Sequence, residues 1–176
     1  MSDFKKKISN FIPAIIVFVS IIIIFLFVLL CSGVPSASMD STIKKGTFII
    51  SNRLPAFFSN PDRGDVVVFR SEEKGEDLVK RVIGVGGDKI SLKDDKVYVN
   101  GEPLDEPYIT GKTKPDKQTE YFVPEGHFFA LGDNREDSND SRSFENPYIE
   151  YDAIRGYVFL NISLGGDNGF FIHGVS

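Results

Sequence analysis

Lys80 falls inside the apolar run of residues 78–85. Alternate side chains of an extended strand share a face, so Leu78, Lys80 and Val82 point one way and Val79, Arg81 and Ile83 the other. An ammonium carried on an apolar face loses its proton more readily, and neutral lysine is a competent general base. An exposed lysine on an edge strand shows the same pattern, and taken alone the segment favours that plainer reading. Ser38 lies in Pro35-Ser36-Ala37-Ser38-Met39. A serine hydroxyl is a poor nucleophile until a base takes its proton, and a linker hydroxyl would look the same. His127, in an apolar strand, is another base that could pair with a serine, although serine–lysine pairs also exist. The third cluster is residues 132–142, where Asp133, Asp137 and Asp140 alternate with Arg135 and Arg142 among Asn and Ser. Such a loop can cross-link itself and orient a neighbouring group by charge-assisted hydrogen bonds. A solvated polar loop has the same composition.

These residues need a framework. Residues 11–31 carry no charge, and 21–30 are entirely Ile, Phe, Leu and Val. As a helix the run spans roughly 30 Å, the thickness of a bilayer's hydrocarbon core, and Pro13 is expected near its start, where a helix tolerates it. Lys5, Lys6 and Lys7 precede the run, and no basic residue follows until Lys44. The positive-inside bias therefore expects residues 1–10 in the cytoplasm, 11–31 as a single transmembrane helix in lipid, and 33–176 outside the cytoplasm. A cleaved signal peptide has a shorter apolar core, about 7–15 residues. Cys31 lacks the small preceding residues that a lipidation site needs.

The remainder is long enough for one domain with a core of its own. The first 32 residues hold three lysines and Asp3, which leaves 17 basic and 24 acidic residues beyond them. That acidic balance argues against nucleic acid as a partner. One cysteine excludes an intramolecular disulfide, and two histidines with no Cys–His cluster make neither a metal nor another cofactor expected. Residues 33–40 read as a small-residue linker. Strand-like runs follow at 47–51, 65–70, 78–85, 89–92, 96–100, 127–131 and 156–162, with Asp94-Asp95 and Asn100-Gly101 as turn signals. Residues 102–122 read as a polar loop or small excursion. The expected fold is mainly β, a bent antiparallel sheet or partial barrel behind one N-terminal transmembrane helix. Gly84-Val85-Gly86-Gly87 lacks the third glycine and the helix of a dinucleotide fingerprint. Asn161-Ile162-Ser163 matches a glycosylation tripeptide but falls in a core strand.

In this order the clusters resemble the bacterial type I signal peptidases, over most of the chain to about Leu164. Pro35-Ser36-Ala37-Ser38-Met39-Asp40-Ser41-Thr42 looks like that family's nucleophile box. Arg63-Gly64-Asp65-Val66-Val67-Val68-Phe69 resembles its second conserved strand. Lys80-Arg81-Val82-Ile83-Gly84-Val85-Gly86-Gly87-Asp88 is similar to its lysine box. Gly132-Asp133-Asn134-Arg135 through Asp140-Ser141-Arg142 is similar to its last box.

The resemblance implies Ser38 as nucleophile and Lys80 as general base. Ser36 would add its hydroxyl to an oxyanion hole with the Ser38 N–H, and Ser138 would orient Lys80. Asp140, Arg142 and Arg81 would form supporting ion pairs, with Asp133 steadying the loop. Implied substrates are secretory precursors with Ala-x-Ala cleavage regions, cut by a membrane-bound serine endopeptidase at the bacterial cell membrane. Ser41 stands where the family usually has proline. The alternatives are a related serine–lysine protease maturing a few pilus or conjugation proteins, and an inactive membrane-tethered binding domain.

Overall fold

The computed structural model describes residues 2–165 and 169–175. Its first element is a helix, α1 (Ser2–Val28), whose stretch Phe11–Val28 has a mean hydropathy of 3.2 and is long and apolar enough to cross a membrane. From Phe11 to Phe27 its side chains are exposed; Phe18 and Leu26 are each 64% exposed. The helix starts earlier than the apolar run, so Pro13 is interior rather than in the first turn. It also stops earlier. Leu29–Gly33 is a strand, β1, continuous with the helix and paired antiparallel with β2 (Phe48–Asn52). The β1–β2 ladder gives these backbone groups cross-strand partners, and the helix is complete without them.

Beyond the helix the chain is mainly β, as its sequence leads one to expect. The strands β3 (Val66–Ser71), β4 (Glu76–Val85), β5 (Lys89–Lys93), β6 (Lys96–Val99), β7 (Glu102–Pro103), β8 (Glu120–Phe122), β9 (His127–Leu131), β10 (Ile149–Glu150), β11 (Ile154–Gly165) and β12 (Gly169–Gly174) complete the set. Between β2 and β3 lies one short helix, α2 (Pro55–Phe58). The larger sheet runs β1-β2-β11-β3-β4-β9-β10, with β12 on β11; the smaller runs β7-β6-β5-β8. Every named strand pair is antiparallel. The excursion of residues 102–122 therefore contributes β7 and β8 to the smaller sheet.

Local chemistry explains the tight connections. Asp94 and Asp95 both have positive φ (53° and 59°), as do Asn100 (54°) and Gly101 (91°). Two such residues in succession form the hairpin turn whose twist matches the flanking strands. Residues 66–69 of β3 and 80–84 of β4 are buried on both faces. Val66 and Val68 join Val34, Met39, Ile43 and Ile49 in one apolar cluster, whereas Val67 and Phe69 join Val82, Phe128 and Ala130 in another. Ile83, Phe129 and Leu131 cover the smaller sheet's Ile90, Leu92, Val97 and Tyr121.

Residues 33–40 are not a loose linker. Val34 and Met39 are buried in the core, and the segment closes through turn bonds such as Asp40 N–H to Ala37 O at 3.0 Å and Ile43 N–H to Met39 O at 2.7 Å. Two large apolar side chains bracket the small ones, and their burial seats the turn.

Candidate active site

Three segments converge here: the turn after β1, the middle of β4 and the loop after β9. Lys80 lies opposite Val67 in the β3–β4 ladder, and its face carries Leu78 and Val82 into the apolar cluster. The alternation expected from sequence holds, but Lys80 is not an exposed edge lysine: it is 3% exposed. Its Nζ donates to Ser38 Oγ at 2.8 Å and to the Val79 carbonyl at 3.0 Å. Burial pulls its pKa from 10.5 to about 8, against the opposing pull of the Asp140, Asp133 and Glu76 charges. Ser38 is likewise buried, with Ser36 Oγ 3.3 Å from its own Oγ. A neutral Lys80 can accept the Ser38 proton directly at this distance.

Arg81, on the opposite face of β4, is fully buried. Its Nε and Nη2 donate to Asp133 Oδ1 and Oδ2 at 2.9 and 2.8 Å, and its Nη1 to the Gly64 carbonyl at 2.9 Å. The Tyr108 ring covers the guanidinium at 3.9 Å. Thr42 donates to the same Asp133 carboxylate at 2.5 Å, so the ion pair also grips the turn that bears Ser38. Asp140 and Arg142 form a separate pair at 2.8 Å, and Asp140 Oδ2 accepts the Gly132 N–H at 3.0 Å. The expected ion pairs therefore form two units, Arg81–Asp133 and Arg142–Asp140.

Ser138 Oγ is buried and makes no hydrogen bond in this structure. The bonds that Lys80 makes go to Ser38 and Val79. His127 is no partner for Ser38; its Nδ1 lies 2.9 Å from the Glu125 carbonyl.

Several residues at the site were given no role by the sequence. Arg135 donates to Gly132 O at 3.0 Å and to Thr113 Oγ1 at 2.5 Å, and pairs with Glu106. Ser41 donates to the Tyr108 carbonyl. These bonds tie residues 106–113 to the Ser38 turn and the loop after β9 across long sequence separations. Asn134, in the last box but given no role, reaches the turn that bears Ser38, its Nδ2 donating to the Ala37 carbonyl.

The site has relatives. A family model described as signal peptidase, peptidase S26, matches residues 6–162. The chain belongs to that family. It is a serine endopeptidase with signal peptidase I function. It is 38% identical over 173 residues to signal peptidase IB of Staphylococcus aureus (strain COL), covering 88% of each chain. It is 35% identical over 149 residues to signal peptidase I of Bacillus licheniformis, covering 79% of this chain and 80% of that one. A crystal structure of a signal peptidase I from Enterococcus faecalis is 30% identical, with a TM-score of 0.48, and covers 56% of this chain and 97% of that one. Family membership and the apolar N-terminal helix together suggest a membrane-anchored enzyme.

Proposed function

We propose that this signal peptidase cuts secretory precursors with Ser38 as nucleophile and Lys80 as general base. The observation that carries the reading is the 2.8 Å contact between Lys80 Nζ and Ser38 Oγ, with both side chains buried. Neutral Lys80 takes the hydroxyl proton as Ser38 Oγ attacks the scissile carbonyl. The oxyanion accepts hydrogen bonds from the Ser38 N–H and the Ser36 hydroxyl. One such donor typically contributes a few kcal/mol. When the C–N bond breaks, Lys80 returns its proton to the leaving amine. Water, deprotonated by Lys80, then hydrolyses the acyl-enzyme and frees Ser38. The buried, unpartnered Ser138 hydroxyl is available to hold Lys80 through this cycle. Arg81–Asp133 and Arg142–Asp140 keep the loops in register.

The substrate binds as an added strand. The ladder between β4 and β9 begins at Arg81, so among the described residues Glu76–Val79 has a strand on one side alone. An extended cleavage region can pair with that free edge and run toward Lys80. Small side chains, as in Ala-x-Ala, are what the family resemblance implies for the cleavage region. Residues 1–10 lie in the cytoplasm, the apolar helix crosses the bacterial cell membrane once, and residues 33–176 work outside.

Processing of an Ala-x-Ala precursor in lipid vesicles tests the reading. The wild type should cut it; Ser38→Ala and Lys80→Ala should not. Undiminished cutting by both variants would remove the dyad. Cutting of one dedicated precursor among many would narrow the enzyme to a specialised maturase.

A further inference from the structure

The carbonyl of Ala37 and the N–H of Ser38 belong to one peptide unit. A planar trans peptide holds these two groups on opposite sides, so fixing one direction fixes the other. The Ala37 carbonyl accepts two hydrogen bonds. One comes from Asp40 N–H at 3.0 Å, inside the same turn. The other comes from Asn134 Nδ2 at 3.1 Å, 97 residues away. The turn-internal bond shapes the turn, and the Asn134 bond ties it to the body of the protein.

Asn134 also holds the next peptide, its own N–H donating to the Ser38 carbonyl at 3.0 Å. Asn134 is fixed in turn. Thr110 N–H donates to Asp133 O at 3.1 Å and Arg135 N–H to Thr110 O at 3.3 Å, which closes a parallel bridge between Thr110 and Asn134. The buried Arg135, held by Glu106 and Thr113, anchors that bridge.

We propose that Asn134 is a positioning residue for the oxyanion hole. Its side-chain amide aims the Ala37–Ser38 peptide so that the Ser38 N–H meets the oxyanion as it forms. A donor on the carbonyl also polarises the peptide and strengthens its N–H. The proposal rests on Ser38 being the nucleophile. Its signature is specific: the oxyanion exists only past the ground state, so Asn134 should act on kcat and leave KM and the titration of Lys80 alone.

The test uses full-length enzyme in lipid vesicles with Asn134→Ala and Asn134→Leu. Leucine has nearly the same shape, carries no charge and cannot donate. Removing one oxyanion donor outright costs about 10²–10³ in kcat. Here the donor stays and loses its aim, so kcat should fall about 10- to 100-fold, with KM and the apparent pKa of the pH profile unchanged. A peptide aldehyde takes Ser38 Oγ onto its carbonyl carbon as the C=O π bond opens, the serine proton passing to neutral Lys80, and the resulting hemiacetal alkoxide lies in the oxyanion hole. The aldehyde's affinity should fall by the same factor as kcat/KM. If both variants keep wild-type kcat, or the aldehyde binds undiminished, or the loss lies in KM or the pKa, the proposal is overturned. If Asn134→Leu does not fold, Asn134→Ala with the aldehyde still gives the answer. Ser38→Ala in the same assay separates the two failures. If it still cuts, the nucleophile assignment falls and this proposal with it; if it is dead while Asn134→Leu is fully active, this proposal alone falls.

Discussion

The main chain of Gly132 passes so close to Ser38 that a β-carbon on it would stand 2.4 Å from the Ser38 carbonyl oxygen and 2.2 Å from Ser138 Oγ. No real β-carbon sits so near a backbone atom, so the nucleophile turn and the loop after β9 pack together because position 132 has no side chain. Gly132→Ala should displace the turn, cost about 1–3 kcal/mol of stability and lower kcat/KM by more than about tenfold. Thermal melts with steady-state kinetics check both. Wild-type kinetics in this variant would mean that the turn moves freely.

Activity should follow the protonation of Lys80. Burial lowers its pKa to about 8. Below about 8, kcat/KM should fall about tenfold per pH unit, and it should level off above. A flat profile from about pH 6 to 9, with chemistry rate-limiting, would count against a lysine base.

The same lysine links pH to stability. Its folded pKa, about 8, lies below its ordinary value of 10.5. Between the two, the unfolded chain holds the extra proton, so stability rises with pH across that window. The cost of the buried ammonium is present in full below about 8 and gone above about 10.5. Lys80→Met should therefore melt higher than wild type at about pH 7 and lose that advantage near pH 10.5. Melting curves in detergent at the two pH values decide it.

Asp133→Ala should be strongly destabilising. It leaves the buried Arg81 without its carboxylate and frees Thr42. Breaking one side of a buried pair costs about 3–5 kcal/mol. Replacing both partners, as in Arg81→Met with Asp133→Leu, should cost less than Asp133→Ala alone, because no unpaired charge remains. Denaturant titration of the single and double variants measures the difference.

A soluble fragment should begin at Leu29, not after Cys31. Leu29, Leu30 and Cys31 pair with Asn52, Ser51 and Ile50. A fragment starting at Ser32 loses that ladder and should melt about 6–12 °C lower. It should also cut soluble peptides less well, since β1 leads directly into the nucleophile turn. Equal melting temperatures would show that β1 is dispensable.

Strand pattern and turn chemistry carried most of the fold. The runs expected at 47–51, 65–70, 78–85, 89–92, 96–100, 127–131 and 156–162 all contain strands, because alternating or continuous apolar residues between turn signals leave the backbone few other choices. Leu29–Gly33 was hidden, because lipid and a sheet edge accept the same apolar side chains. Composition cannot say where one hands over to the other. Glu102–Pro103 and Glu120–Phe122 are short and polar; the ladders of β5 and β6 make them strands. At the site, type and setting made Ser38 and Lys80 candidates, only the family resemblance gave them their roles, and the structure brings the two side chains together. Which acid meets which arginine could not be read that way. Strand alternation puts Arg81 on a face, but the loop path alone delivers Asp133 rather than Asp140 to it. The Arg135–Glu106 pair and the Asn134 bond to Ala37 span 29 and 97 residues and leave no local trace.

The passage from Val28 to Leu29, helix to strand without an intervening residue, would make a membrane-embedded enzyme a gauge of height. Arg53 N–H donates to the Val28 carbonyl at 2.8 Å, which clips the returning strand to the helix end. With the helix embedded, β1 rises as a post of five residues, about 17 Å at the usual strand rise. The turn bearing Ser38 sits at its top. The β1–β2 ladder and the Arg53–Val28 bond tie that post to the returning strand, so with the helix embedded the Ser38 turn would stand at one level above the lipid. Lengthening or shortening the post would shift the level of the cut rather than its chemistry.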